Sequence, residues 1–333
     1  MKRKLIAQMR NEWRSNIWMI IELVIVLTVL QGLFTVLYFI YDLHKPIKGI
    51  DLENVYVADV DGLRNDSPEF TPYDSLHNFF TDRQMLVAQL KENPYVEEVG
   101  LGSNLVPYNY NYWGTNVVPL EGTDGKVYSA NVRTLDAGAV RAIRLTGLHG
   151  ETTEQLAQII ENGDLILSNL PEGDTVNIDP ETLAGKEVFW DSDTAKVKTV
   201  KALAWGMARS DFEPLNEGVA YVPLNPQDWA QKMVIRLKPG TESAFLESLK
   251  PTDLQLGNVF ITNLTSIDSL RKAAHSDIMT TIRNLTICAL FMLLVIFLGF
   301  LGTFWFRTQQ RAGEISIRKV TVATNRNVFA RFI

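Results

Sequence analysis

Hydrophobic positions are spread unevenly along this chain, with one long apolar run near each end. The first run, residues 17–41, holds a single charged residue, Glu22, and the second run, residues 285–306, holds none. A helix that crosses a bilayer needs about 20 apolar residues. The first run is too long for the core of a signal peptide, which has about 7–15 apolar residues. The pattern therefore predicts two transmembrane helices, the first of them a retained anchor.

Lysines and arginines gather before the first run, within residues 1–16, and after the second run, within residues 307–333. Basic flanking segments stay on the cytoplasmic side of a membrane. We therefore expect both termini in the cytoplasm and the segment between the two runs on the outer side. The N-terminal segment is interpreted as an amphipathic stretch lying at the cytoplasmic face.

The outer segment alternates between strand-like and helix-like patterns, which predict a β-α-β unit at each of its ends with right-handed crossovers. The predicted elements are a strand at 54–60, a helix at 74–92, a strand at 95–101, a strand at 232–237, a helix at 241–249 and a strand at 254–264. Short β-like runs and turn residues fill the interval between the two units. Residues 105–230 are therefore predicted to be a second, mostly β lobe inserted into a split α+β lobe.

A helical repeat of apolar residues begins near Ile267 and continues into the second apolar run. Residues 265–268 have the pattern of a capping box, and no glycine or proline follows before Gly299. We therefore expect one continuous helix of about 40 residues, roughly 60 Å long. Its upper part would be a stalk that carries displacement across the membrane, or simply the helical support of an anchored domain.

The predicted fold class is an α+β membrane protein, in which two transmembrane helices flank a large extracytoplasmic α+β domain and a helical stalk. The predicted segments are a cytoplasmic N-terminal segment (1–16), the first transmembrane helix (17–41), the outer domain (42–264, with 105–230 inserted), the stalk (265–284), the second transmembrane helix (285–306) and a cytoplasmic segment (307–333).

Small and polar residues form faces on both predicted transmembrane helices, and such faces let helices approach closely. These helix-packing candidates are Thr28, Gln31, Gly32 and Thr35 on the first helix, with Gly299, Gly302, Thr303 and Cys288 on the second. We expect both helices to pack against other helices and not against lipid alone. Glu22 lies off this face, where it would either reach the membrane surface or pair with a basic group of a partner helix.

The composition excludes several classes of protein. The chain has 333 residues, 46% of them hydrophobic, and it contains one cysteine and four histidines. One cysteine excludes an internal disulfide framework and a Cys-based zinc cluster. Acidic residues concentrate in the outer segment, which argues against a nucleic-acid partner. The acidity is interpreted as a source of solubility, with a cationic ligand as the alternative.

No motif for a catalytic or nucleotide-binding site is present in the sequence. It lacks the P-loop, the nucleophile elbow, the zinc-protease motif and the dinucleotide-binding glycine pattern. We therefore expect a non-catalytic chain that holds no cofactor or metal ion of its own.

The most unusual stretch of the outer segment is a run of alternating tyrosines. Strand-like alternation would place Tyr108, Tyr110 and Tyr112 on one face. A row of tyrosine rings could stack on sugars or hold a peptide, so these residues are candidates for ligand contact. The alternative is that they pack against the neighbouring lobe.

The segment after the second apolar run has a specific pattern. Glu314, Ile315 and Ile317 are followed by Arg318 and Lys319. This segment resembles the cytoplasmic loop of the MacB/FtsX family of ABC transporter permeases, in which Arg-x-x-Glu-Ile-x-Ile-Arg-Lys follows a membrane helix. Val322 stands where the family commonly has glycine. The order of the predicted segments also resembles this family, with its MacB-like periplasmic domain.

The resemblance implies that Glu314, Ile315, Ile317, Arg318 and Lys319 couple the chain to a separate cytoplasmic ABC ATPase, which binds ATP and Mg. It implies a permease-like subunit in a bacterial inner membrane, working as a homodimer or paired permease. Family members transmit motion that exports peptides, drugs or lipoproteins or that activates a cell-envelope enzyme, so an envelope protein is a further expected partner. They also continue through a third and a fourth span, so the chain is expected to be truncated before them.

Two other interpretations remain from the residues alone. A basic helix beside the membrane could bind anionic lipid instead of an ATPase, and membrane lipid is in any case an expected partner. A chain with two spans could also be a receptor or sensor that binds a ligand outside the membrane. Such a receptor would need a folded output module in the cytoplasm, and residues 307–333 are short for one.

Overall fold

The computed structural model describes residues 13–310, apart from the short gaps 75–76, 109–110, 121–125, 192, 214, 229 and 231. The chain divides into two compact units. One is an α+β domain that runs from Asp42 to Ser276, and the other comprises the described helical residues before and after it. Each unit is described by itself below.

The helices of the described residues, in chain order, are α1 (Trp13–Leu43), α2 (Phe79–Lys91), α3 (Ala137–Ile143), α4 (Thr153–Glu161), α5 (Glu242–Ser248) and α6 (Ile267–Gln310). Two short 3-10 turns cover Pro180–Thr182 and Pro251–Asp253.

The strands of the described residues are β1 (Val55–Gly62), β2 (Val96–Ser103), β3 (Gly114–Pro119), β4 (Tyr128–Leu135), β5 (Leu165–Ser168), β6 (Glu187–Trp190), β7 (Asp193–Ala204), β8 (Gly218–Pro223), β9 (Lys232–Leu237), β10 (Gln255–Leu256) and β11 (Val259–Ser266).

All of these strands join one sheet, in the order β10-β11-β1-β9-β2-β4-β3-β6-β7-β5-β8. Strand β9 lies between β1 and β2 and runs antiparallel to both. Strand β1 in turn lies between β9 and β11. The two β-α-β units, β1-α2-β2 and β9-α5-β11, are therefore interleaved, each with a strand of the other in its middle. The prediction of an α+β domain is confirmed.

The inserted residues extend this sheet instead of forming a sheet of their own. Strand β4 pairs with β2 through Gly102↔Leu135 and Ser103↔Thr134. The insertion also contains α3 and α4, which the hydrophobic pattern did not indicate. Helix α3 packs closely on β2, since a Cβ added at Gly100 would lie 1.8 Å from the Ala139 nitrogen. Only small residues permit this approach.

Buried arginines hold the loops of the domain. The three largest fully buried side chains are Arg83, Arg133 and Arg236. Arg83 donates to the carbonyls of Asp228 and Pro226, both at 2.9 Å. Arg236 donates to the carbonyl of Ala142 at 2.6 Å. A guanidinium has five donors in a planar fork, so one side chain can satisfy carbonyls of a loop, as Arg83 does, or of the last turn of a helix, as Arg236 does at α3.

The two long helices have the composition of membrane spans. Within α1 and α6, Leu23–Leu43 and Ile267–Thr303 reach mean hydropathies of 2.4 and 2.7 and are long enough to cross a membrane. Helix α6 is unbroken over Ile267–Gln310, as predicted. Its first turn is capped one residue later than the sequence pattern indicated, because the Ser266 hydroxyl accepts from the Ser269 amide at 3.2 Å.

Candidate functional site

Within the α+β domain, the first turns of α6 contribute to a group of polar side chains around a buried carboxylate. We name this group the Asp211 cluster: Tyr108, Asp211, Arg271 and His275. Tyr108 lies in the loop after β2, and Asp211 lies in the loop between β7 and β8. Arg271 and His275 are four residues apart on α6, a spacing that places both side chains on one helix face. Three separate chain segments therefore converge on one carboxylate.

Asp211 is the centre of this cluster, and its side chain is only 1% exposed. Arg271 donates to both of its carboxylate oxygens, from Nε at 2.8 Å and from Nη2 at 3.1 Å. The Tyr108 hydroxyl donates to Oδ2 at 3.0 Å. The His275 Nε2 atom lies 3.4 Å from the same oxygen. Bidentate contact between an arginine and a carboxylate fixes direction as well as distance.

The pKa shifts in the cluster follow from burial and from these contacts. Burial raises the pKa of Asp211, but the hydrogen bonds from Arg271 and Tyr108 outweigh burial and hold the pKa below its usual range. The bond to Asp211 raises the pKa of Arg271. Burial lowers the pKa of His275 more than the nearby Asp211 raises it. At neutral pH the cluster therefore holds one carboxylate, one guanidinium and a neutral imidazole.

Aromatic rings enclose the cluster. The His275 ring stands edge-on to the rings of Tyr108 and Phe212, with centroids 5.5 and 4.9 Å apart. On the other side of Phe212 lies the ring of His44, with a centroid distance of 4.9 Å. The Lys45 amide donates to the Asp211 carbonyl at 2.7 Å. The segment that follows α1 thus joins the same contact as the start of α6.

Tyr108 and Tyr112, the described tyrosines of this run, lie outside the strands. Tyr108 has a positive φ of 63° and is 9% exposed, because its hydroxyl turns inward to Asp211. Tyr112 is 54% exposed, and Tyr110 lies outside the described residues. Tyr108 and Tyr112 therefore do not share one face, and the Tyr108 hydroxyl is engaged by Asp211. Ligand contact by Tyr108 and by Tyr112 stays a prediction, as does the place of Tyr110.

Sequence reasoning missed Asp211, Arg271 and His275. The sequence does place Arg271 and His275 four residues apart, on one face of the predicted helix. That helix was predicted from its apolar stripe alone, so its polar residues were not considered. Asp211 gave no signal, since it lies in a loop far from α6 in the sequence.

The predicted packing face of α1 is exposed in the structure. The hydroxyls of Thr28 and Thr35 donate to carbonyls of their own helix at 2.8 Å. Gln31 and Gly32 are also exposed, and no heavy atom lies within 4 Å of a Cβ added at Gly32. Packing of this face against another helix stays a prediction.

Two of the predicted residues of α6 line a narrow groove with α1. Gly299 and Thr303 share this groove, of about 110 Å³, with Leu23 and Val26. Gly302 is exposed. The α1 side of the groove is therefore formed by large apolar residues and not by the small and polar face that was predicted.

The predicted ATPase-coupling residues, Glu314, Ile315, Ile317, Arg318 and Lys319, lie outside the described residues. Within the described residues, no group of three or more histidine, cysteine, aspartate or glutamate side chains is arranged to hold a metal ion.

Comparison with known proteins gives distant similarities alone. No protein-family profile matches the chain, and no curated protein matches it. Among solved structures, the extracellular domain of the ABC-type transporter YknZ from Gram-positive bacteria is 12% identical, with a TM-score of 0.36. The match covers 62% of this chain and 100% of that domain.

A second solved structure is a domain of a protein named as a permease from Porphyromonas gingivalis. It is 11% identical over 65% of this chain and 91% of that domain, with a TM-score of 0.35. Both scores are below the level that establishes a shared fold, so the function of this chain has to be argued from its own residues.

Proposed function

We propose that this chain is a permease-like membrane subunit of an ABC transporter system. It would couple ATP hydrolysis by a separate cytoplasmic ATPase to movement of its α+β domain. The observation that carries the proposal is the course of α6. This one helix begins at the Asp211 cluster and ends directly before the segment that resembles an ATPase-coupling loop.

The Asp211 cluster supplies the mechanical part of the proposal. A displacement of α6 along or about its axis acts on the domain through Arg271 and Asp211, a bidentate contact with a defined direction. A flexible linker at this point would absorb the displacement instead. Because Asp211 belongs to the loop between β7 and β8, the motion enters the inserted part of the sheet.

The finer assignments remain part of this proposal. They are a MacB/FtsX-type permease, a homodimer or paired permease, both termini in the cytoplasm, and the α+β domain outside the inner membrane of a bacterium. ATP and Mg would bind to the ATPase, and this chain would have no catalytic role. The work done is export of a peptide, drug or lipoprotein, or activation of an envelope enzyme.

A double substitution in the coupling segment tests the proposal. We expect Glu314→Ala with Arg318→Ala to abolish association with the ATPase while membrane insertion stays normal, since these residues would dock into a groove of that protein. The measurement is a pull-down of the tagged chain from gently solubilised membranes of its native host, read by mass spectrometry.

The matched control is Arg64→Ala with Asp66→Ala, which removes an exposed ion pair of the α+β domain. This control should recover the ATPase at the level of the unchanged chain. Recovery of the ATPase by the coupling variant at the same level would contradict the coupling role. Absence of any ATPase with the unchanged chain would favour the receptor interpretation.

A further inference from the structure

A cavity of about 270 Å³ lies on the other side of the loop that carries Asp211. Apolar groups form much of its wall, contributed mainly by Met207, Phe212, Leu215 and Val219. Its charged lining residues are Arg133, Arg209, Glu213 and Glu217. Whether the cavity can bind a charged ligand depends on whether these arginines and glutamates form ion pairs with one another.

Arg133 is fully buried and forms no ion pair with a carboxylate of the described part of the chain. Its guanidinium donates to the carbonyls of Asn104 at 2.7 Å and Met207 at 2.9 Å, and its Nε–H has no acceptor. Besides burial, the neighbours that act on its pKa are Tyr221, which raises it, and a second cation, Arg209, which lowers it. Burial lowers its pKa to about 10. A buried positive charge without a counter-ion is costly, and it leaves a positive potential beside the cavity.

Arg209 brings a second cation to the cavity. Its guanidinium lies over the ring of Tyr112, 4.7 Å from the centroid, and the Tyr112 hydroxyl donates to Glu217 at 3.0 Å. Within the described residues Arg209 forms no ion pair with a carboxylate. The ring of Tyr112 thus orients the guanidinium, while its hydrogen-bond donors stay available to a ligand.

The two acids of the lining do not neutralise this pair. Glu213 is exposed to solvent, and Glu217 is engaged by Tyr112 instead of by an arginine. Among the described residues, two lining guanidiniums without a carboxylate partner therefore remain, the buried Arg133 and the half-buried Arg209.

We propose that this cavity binds a carboxylate carried on a small apolar group. Arg209 would make the direct bidentate contact, Arg133 would supply the buried positive potential, and the apolar wall would hold the attached hydrocarbon. The size of the cavity suits one amino-acid side chain or a short organic acid. Two sources share this chemistry: the C-terminal residue of a peptide and a free organic acid.

Titration of the full purified chain in lipid nanodiscs, read by isothermal calorimetry, tests this site. The probes are N-acetyl-Ala-Leu with a free carboxylate, the same peptide with a C-terminal amide, and 4-methylpentanoate. We expect the free-acid peptide to bind and the amide to bind at least about tenfold more weakly, since the charge-assisted bonds to Arg209 would be lost. Binding by 4-methylpentanoate at comparable affinity would identify a free acid as sufficient.

The variants separate this site from general charge effects. Arg209→Gln should weaken binding of the free-acid probe about tenfold, Arg209→Lys should restore part of it, and Arg64→Gln should leave it unchanged because Arg64 is an exposed residue paired with Asp66. Unfolding temperatures identify any variant that has lost its fold. Equal binding of the acid and the amide, or no loss in folded Arg209→Gln, would overturn the proposal. Because no ATPase is present, the result is independent of the function proposed above.

Discussion

Two arginines contact the loop between β7 and β8 from different sides, and their surroundings are opposite. Arg271 is 47% exposed and holds both oxygens of a buried carboxylate, Asp211. Arg133 is 2% exposed and holds backbone carbonyls alone among the described residues. Arg271, which is partly exposed to water, thus has a counter-ion, whereas the buried Arg133 has none among the described residues.

The Asp211 cluster and the surroundings of Arg133 differ in whether the arginine has a counter-ion, and this difference bears on what each region can do. A paired charge at Asp211 holds the first turns of α6 in place within the domain, because the bidentate contact tolerates little rotation. An unpaired charge at Arg133 fixes loop carbonyls but leaves its potential free to act on a ligand. The two proposals above accordingly use the first region for transmission of motion and the second for recognition of an anion.

Breaking the paired region should have the largest effect. Asp211→Ala is expected to lower the free energy of unfolding of the α+β domain by about 3 kcal/mol, the lower end for breaking a buried ion pair, since Arg271 can still turn to water. The Tyr108 hydroxyl and the His275 ring would lose their acceptor in the same step. Urea unfolding followed by tryptophan fluorescence measures the loss.

Asp66→Ala is the matched control for this loss. Asp66 also pairs with an arginine, but its side chain is 73% exposed, so the cost should stay well below about 1 kcal/mol. Similar costs for Asp211→Ala and Asp66→Ala would remove the distinction between a buried and an exposed pair on which the role of the cluster depends.

The sequence predicted those parts of the fold that depend on local pattern. The strand at 232–237 and the unbroken helix α6 follow from alternation and from a helical apolar stripe. Helix α2 begins at Phe79 and not at Asp74, because Asn78 caps it with a reciprocal bond to Thr81. Helix α3 could not be predicted, because its small residues allow close contact with β2 but do not form the amphipathic repeat that indicates a helix.

The candidate sites were hidden for a different reason. Asp211 and Arg133 meet their partners through long-range folding, and a single acid or base in a loop or strand carries no spacing that indicates its partner. Tyr108 shows the limit of a local pattern: its alternation with Tyr112 predicted a shared face, but the buried acceptor Asp211 determined its direction.

Replacing the unpaired arginine should cost less than breaking the pair. Arg133→Met is expected to lower the free energy of unfolding by about 1–2 kcal/mol, since the carbonyls of Asn104 and Met207 each lose a donor. Part of this loss is offset because a charge without a counter-ion no longer has to be buried. The same urea titration provides the measurement, with Arg64→Met as the exposed control.

The response of Arg133→Met to a carboxylate probe provides a second comparison between the two regions. A saturating carboxylate probe should raise the stability of the unchanged chain, because it binds the folded state, and should raise that of Arg133→Met much less. A cost for Arg133→Met that exceeds the cost for Asp211→Ala would contradict the division between a paired and an unpaired region.

The smallest expected effect is a pH dependence that belongs to the paired region alone. Burial holds the pKa of His275 below 6.5. The nearby Asp211 opposes this shift, whereas Arg271 and His44 lower the pKa further. As the pH falls through 6.5 the unfolded chain therefore takes up a proton before the folded chain does, and the free energy of unfolding decreases until the lowered pKa is passed. The contribution of Asp211 is lost only below its ordinary value of 3.8. The midpoint of urea unfolding should fall less between pH 8 and about pH 5 in His275→Gln than in the unchanged chain. An equal fall in both chains would show that protonation of His275 does not contribute to this pH dependence.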